Sequence, residues 1–156
     1  MLEVCCLSTD SAQSANSHRP DCLRDLIIPT MERVASKVDF TLSFIGTLTE
    51  PDGVACKHGP AECVGNTIEL CAARLYPDPE LYLGYTMCLA NDYENIPGQE
   101  LVERCALEHG LSFNNIMKCA SDENRLKSGM LKASVTRSMD ANVSISCTVS
   151  TIFRMF

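Results

Sequence analysis

CKHGPAECVGNTIELC, residues Cys56 to Cys71, places three of the chain's ten cysteines within sixteen positions. His58, Gly59, Pro60, Glu62 and Asn66 stand among them. As a pattern the stretch reads C-x-H-G-x-x-E-C-x-x-N-x-x-x-x-C, which is far more specific than an isolated C-x-x-C. Physically it is a loop that turns into a helix. Gly59 suits the N-cap, and Pro60 suits the first helical position, where a missing N–H costs nothing. Glu62 then falls in the first turn, where the helix dipole favours a negative charge. The helix is predicted to run to about Leu75. Cys63 and Cys71 share one face but lie ~12 Å apart along its axis. A disulfide needs Cα atoms within roughly 7 Å. Neither can close on the other, so each reaches another element or stays reduced.

The rest of the composition narrows the class. A chain of 156 residues is expected to form a single domain spanning residues 1–156. Its net charge of −7 disfavours nucleic acid or an anionic membrane as the main partner. No run approaches the roughly 20 apolar residues of a membrane span. Ten cysteines in a chain this size point to a disulfide framework in an oxidising compartment, with the connectivity left open by the spacing. Asn142-Val143-Ser144 fits a glycosylation acceptor. The opening MLEVCCLSTD has neither the basic nor the apolar region of a secretory signal. With so many cysteines, an incomplete start is the preferred explanation.

Taken in order, Leu2–Leu7 reads as a short strand and Ser8–Arg19 as a polar loop. A helix is predicted from about Pro20, with Leu23, Leu26, Ile27, Val34 and Val38 as its core stripe and Pro29 kinking or dividing it. Phe40–Ile45 alternates and reads as a strand with Phe40, Leu42 and Phe44 on one face. Thr47–Ala55 is a turn-rich connection around Pro51, Asp52 and Gly53. Beyond the central helix, Pro77 and Pro79 separate it from a helix carrying Cys88. Pro97 starts another, with Leu101, Cys105 and Leu107 and a stop at Gly110, and Ser112 caps a third through Ile116 and Cys119. Asn142–Ile152 is rich in β-branched residues and reads as a strand holding Cys147. This order is that of a small α/β domain.

The fixed positions Cys56, His58, Gly59, Glu62, Cys63, Asn66 and Cys71 resemble the signature of the gamma-interferon-inducible lysosomal thiol reductase family. CLRDLIIPTMERVASKVDFTLSFIGTL and CALEHGLSFNNIMKCAS are similar to flanking parts of that family, especially its fungal members. The similarity covers most of residues 22–149. It implies a thioredoxin-like fold in which a disulfide-stapled, cysteine-rich helical insertion, about residues 47–126, separates a βαβ half from the terminal strands. Cys56, Cys63, Cys71, Cys88, Cys105 and Cys119 are expected to pair within that block. It also implies a thiol–disulfide oxidoreductase that reduces protein disulfides. Its partners would be disulfide-containing protein substrates and a small-thiol reductant, with no bound cofactor and no metal, in a lysosomal or secreted setting.

The working dithiol of a thioredoxin-like fold lies where the first strand meets the first helix, because a helix N-terminus lowers a thiol pKa. Cys22, in RPDCLRDL, matches the second cysteine of that pair, and the resemblance implies that it is the catalytic residue, acting as resolver. The first position is not a cysteine: Arg19 stands at the C-x-x-C spacing and Asn16 at the spacing with five intervening residues. Cys5 and Cys6 are the nearest upstream thiols, and one of them closing on Cys22 would restore a pair. No proline follows Pro97, so the turn that carries a cis-proline in such reductases falls near Ser146 and Cys147. TIFRMF ends the chain early relative to the family. Two rivals stand beside the reductase. One is a catalytically silent, disulfide-stapled member that binds or only folds. The other is a zinc-binding module using Cys56-x-His58 with Cys63, and Cys105 with His109. Ser/His/Asp hydrolysis has no support, since no G-x-S-x-G occurs.

Overall fold

The structure, a computed structural model, describes residues 4–5, 19–122, 129–145 and 147–150. The described elements are mostly helical, with two small antiparallel strand pairs. β1 (Val4–Cys5) is the described part of the first expected strand. The expected loop up to residue 18 lies outside the described residues. α1 (Arg19–Cys22) begins one residue before Pro20 and passes without a break into a π-helical stretch, Leu23–Ile27, and then α2 (Ile28–Val34). Pro29 explains the change of winding. Proline has no N–H and its ring clashes with the carbonyl four residues back. The chain answers by bonding Ile28 N–H to Leu23 O, five residues back, just before the proline. Leu23, Ile27 and Met31 face the core, whereas Leu26 is half exposed. Met31 replaces Leu26 in the expected stripe because the π stretch shifts the helical phase.

Among the described residues, Phe40–Ile45 joins no ladder. Its backbone bonds instead to side chains of a helix the sequence pattern did not announce, α7 (Met130–Asp140). Phe44 N–H donates to Ser134 Oγ at 2.7 Å, and Ser138 Oγ donates to Phe44 O at 2.8 Å. Arg137 Nε donates to Ser43 Oγ at 2.9 Å. The alternation of Phe40, Leu42 and Phe44 is real, yet Ser43 between them is fully buried as well. A helix covers the segment where a strand neighbour was expected. The true hairpin follows: β2 (Thr47–Thr49) pairs with β3 (Gly53–Ala55), Leu48 opposite Val54, around the Pro51–Asp52 turn.

α3 (Pro60–Leu75) has the predicted bounds, with Pro60 first and Gly59 before it at φ +97°, a left-handed conformation that disfavours any side chain. Asp78 caps α4 (Pro79–Asn91) by accepting from Glu80 N–H at 3.0 Å. α5 (Gln99–Glu108) ends at Gly110, also left-handed, where Leu111 N–H reaches back to Ala106 O at 2.8 Å. Ser112 caps α6 (Phe113–Ser121) by accepting from Asn115 N–H at 3.3 Å. After α7, Asn142 is left-handed and exposed; its N–H bonds Met139 O, and Val143 N–H bonds Ser138 O. The glycosylation candidate therefore also terminates a helix. The late expected strand reduces, among the described residues, to β4 (Thr148–Val149), which pairs with β1.

Two buried clusters organise these elements. The first gathers Leu23, Ile27, Met31, Leu42, Phe44, Leu83 and Val135 from the terminal segments and α4. The second gathers Ile68, Ala72, Tyr85, Leu89, Val102 and Ile116 from α3 to α6. α3 and α4 contribute to both and form the wall between them. No described helix is long and apolar enough to cross a membrane.

Candidate redox site

Four disulfides join described residues: Cys22–Cys147, Cys56–Cys63, Cys71–Cys119 and Cys88–Cys105. They sort by environment. Cys71–Cys119 clamps α3 to α6 with both residues inside the second cluster. Cys88–Cys105 joins α4 to α5, with Cys105 fully buried and Cys88 half-buried. Cys63 and Cys71 do not meet each other, as helix geometry requires.

Cys56–Cys63 closes the signature loop onto the first turn of α3, with Cα atoms 5.6 Å apart. The other fixed positions brace the same loop. Glu62 is buried and accepts from His58 N–H at 2.7 Å, with His58 Nδ1 3.4 Å from the same oxygen. Gly59 N–H bonds Cys56 O at 3.1 Å. Asn66 is fully buried, and its Nδ2 lies 3.9 Å from Cys56 Sγ. Thr67 Oγ1 donates to Cys63 O at 2.8 Å. A buried carboxylate needs such partners, so Glu62 is an internal acceptor that fixes the loop as well as a group at the positive helix end. His58 and Asn66 thus brace the loop.

Cys22 occupies a different place. It is the last residue of α1, in the first turn of a helical run that continues to Val34. The positive end of the helix dipole there favours a thiolate once the bridge opens. Behind Cys22 the helix is sealed by Leu23 and Ile27. On the solvent side Arg24 is held between Asp21 and Asp25, its Nε donating to Asp25 Oδ1 at 2.8 Å. The hydrogen bond from Arg24 holds the Asp25 carboxyl below the usual carboxylate range, and the two carboxylates raise the guanidinium pKa further.

The partner of Cys22 is Cys147, with Cα atoms 6.0 Å apart. Neither Cys5 nor Cys6 takes that role; Cys6 lies outside the described residues. Cys147 is left-handed at φ +61° and immediately precedes β4. β4 pairs with β1 so that Cys5 is opposite Thr148 and Val4 opposite Val149. Strand β1, the start of α1 and the turn at Cys147 therefore converge on one point. The sequence placed Cys22 and the altered proline turn near Cys147 separately; what it did not supply was their contact, across 125 residues. The signal was there in the coincidence of a lost cysteine upstream and a cysteine standing near the lost proline.

Among the described residues, one set of potential metal donors converges: Cys88, Glu108 and His109. The proposed cluster of Cys56, His58 and Cys63 does not qualify in this state, since both sulfurs are bonded to each other.

Over residues 9–109 the chain matches the family described as gamma interferon inducible lysosomal thiol reductase (GILT). No curated protein matches it. The matched stretch holds Cys22, the whole signature and the Cys88–Cys105 pair, whereas Cys119 and Cys147 lie beyond it. With about two thirds of its length within the match, the chain belongs to the gamma interferon inducible lysosomal thiol reductase family.

Proposed function

We propose that this chain is a thiol–disulfide oxidoreductase acting on protein disulfides, with Cys22 and Cys147 as its redox pair. The observation that carries the reading is the bridge between a cysteine in the first turn of a helix and a cysteine in the turn before β4. That is the neighbourhood in which a thioredoxin-like site would hold its dithiol and its proline. Membership of a family of thiol reductases supports the reaction class.

The burial difference sets the order of events. Cys147 is half-buried, whereas Cys22 is only 9 % exposed. Cys147 as thiolate attacks one sulfur of a substrate disulfide; the other substrate sulfur leaves and takes a proton. Cys22 as thiolate then attacks Cys147 Sγ, releasing the second substrate thiol and closing Cys22–Cys147. Two small-thiol molecules return two electrons and two protons and reopen the bridge, themselves forming a disulfide. The helix end stabilises Cys22 as the resolving thiolate. An oxidising, lysosomal or secreted setting suits a chain with this many bridges.

Turnover of a protein disulfide with a limiting small thiol tests the reading. Cys147→Ser should bring turnover down to the free-thiol blank. Cys22→Ser should also stop turnover but accumulate a covalent mixed disulfide between Cys147 and substrate, visible as a reducible high-mass band. Unchanged turnover in either variant removes that residue from the mechanism.

One observation favours a second reading, a silent stapled member. A bridge across 125 residues would stabilise the fold by about 5 kcal/mol through loop closure alone, which is reason enough for its existence. Wild-type turnover no faster than the free-thiol blank would establish that reading in place of the first.

A further inference from the structure

Away from Cys22–Cys147, α4 and α5 bring together a set of side chains that a disulfide alone does not require. Cys88 is bridged to Cys105, and Cys88 Sγ, a Glu108 carboxylate oxygen and a His109 ring nitrogen lie within 4.8 Å of one another. Glu108 Oε2 is 3.4 Å from Cys88 Sγ. While the bridge is closed the sulfur has no proton to donate, so this contact is not a thiol hydrogen bond. Cys105, Glu108 and His109 stand at i, i+3 and i+4 around the end of α5, so they fall on one face. The His109 ring lies against Gly84 on α4, where a Cβ would meet Nδ1 at 2.8 Å and Cε1 at 2.9 Å. Only a residue without a side chain lets the imidazole in this far. The set opens on a surface groove of about 580 Å³. The cation on its rim, Arg104, is answered by Asp92 at 3.4 Å.

We infer that opening the Cys88–Cys105 bridge creates a binding site for a zinc-like divalent cation, with Cys88, His109 and Glu108 as the donors already gathered and the Cys105 thiol, freed from Cys88, turning in as the fourth. The step balances simply. A dithiol gives two electrons and two protons to the bridge and becomes a cyclic disulfide. The cation then displaces one proton from each new thiol, giving two thiolates, one imidazole and one carboxylate around the metal. Two thiolates with an imidazole select a soft or borderline ion such as Zn²⁺ over Mg²⁺ or Ca²⁺. Release of two protons makes binding weaken as pH falls. The half-buried Cys88 gives a reductant its way in, and the closed bridge keeps the site from forming under oxidising conditions. The site is thus a redox-gated one, independent of Cys22–Cys147.

Zinc binding to the intact chain tests this, read by competition with a chromophoric chelator before and after mild reduction with a phosphine, which unlike a dithiol does not itself compete for the metal. One equivalent should bind only after reduction, and cobalt in its place should show thiolate charge-transfer absorption. His109→Ala and Glu108→Gln should each weaken binding by about 100-fold, and Gly84→Ala, which displaces the His109 ring, by about 10-fold. His58→Ala should leave it unchanged. If reduction unfolds the chain, Cys88→His opens the bridge without reductant while keeping four donors. That variant should bind one zinc as purified, and adding His109→Ala to it should lose the metal. Equal zinc before and after reduction, or binding indifferent to His109 in both backgrounds, would overturn the inference.

Discussion

The Cys71–Cys119 and Cys22–Cys147 bridges have nearly the same Cα separation, 5.9 and 6.0 Å, but differ in how far they are enclosed. The first lies between two well-formed helices, with Ile68, Val102 and Ile116 in the same fully buried cluster and its two residues 0 and 4 % exposed. The second ties the start of a helical run to a turn beside a two-residue strand pair, with one of its residues half-buried. An attacking thiolate must reach a disulfide sulfur along its S–S axis, and packing of this density denies that approach at Cys71–Cys119. The difference teaches that cysteine count and bridge geometry do not separate staple from reactive centre. What separates them is whether both cysteines are buried, as at Cys71–Cys119, or one of them, Cys147, comes partway to the surface.

Removing the buried bridge should therefore act on stability and leave chemistry alone. Cys71→Ser with Cys119→Ser should cost about 4 kcal/mol from loop closure across 48 residues. Denaturant unfolding would measure it. Retained reductase turnover per folded molecule is expected; loss of turnover at full folding would break the comparison. The next effect belongs to the terminal region. Ser134→Ala leaves the buried Phe44 N–H without its acceptor and should cost about 1–3 kcal/mol. If segment 40–45 were instead held by a sheet, this variant would be nearly neutral. In the helical block, Ser112→Ala removes the α6 cap and should cost about 1 kcal/mol. Because α6 carries Cys119, the two losses in that block should add less than independently.

The smallest effect appears only at high pH. Burial raises the pKa of Tyr82 in one cluster and Tyr85 in the other, with Asp78 and Glu69 respectively adding to it. A folded-state pKa above the unfolded value means that the stabilisation is complete below the ordinary tyrosine range. It is lost as pH rises through that range toward the folded values. Absorbance titration should show these two phenols ionising only together with unfolding. Ionisation of either one ahead of unfolding would show that the clusters are less closed than described.

The helical block was legible because its boundaries are written locally. Gly59-Pro60, Asp78-Pro79, Gly110 and Ser112 each start or stop a helix by their own backbone chemistry. Segment 40–45 was misread because period-2 alternation records burial on one side and cannot say whether a strand or a helix supplies the cover. α7 was missed because MLKASVTRSMD mixes serine, threonine and valine, modest helix formers, and starts at Gly129 with no side-chain cap. Its serines are there for Phe44, a partner some 90 residues away. The candidate site was half legible for the same reason. Cys22 could be located from its flank and helix start. Its partner could not, since a disulfide partner is a tertiary fact and spacing does not encode it.

Graded reduction tests the central claim most directly. Increasing amounts of a mild dithiol are added to the native chain, newly exposed thiols are alkylated at each step, and mass spectrometry reads which cysteines carry label. The account predicts that Cys22 and Cys147 are labelled first and together, with Cys71 and Cys119 last. Labelling of Cys22 and Cys147 only alongside Cys71 and Cys119, or Cys22 paired with any cysteine other than Cys147, would contradict it.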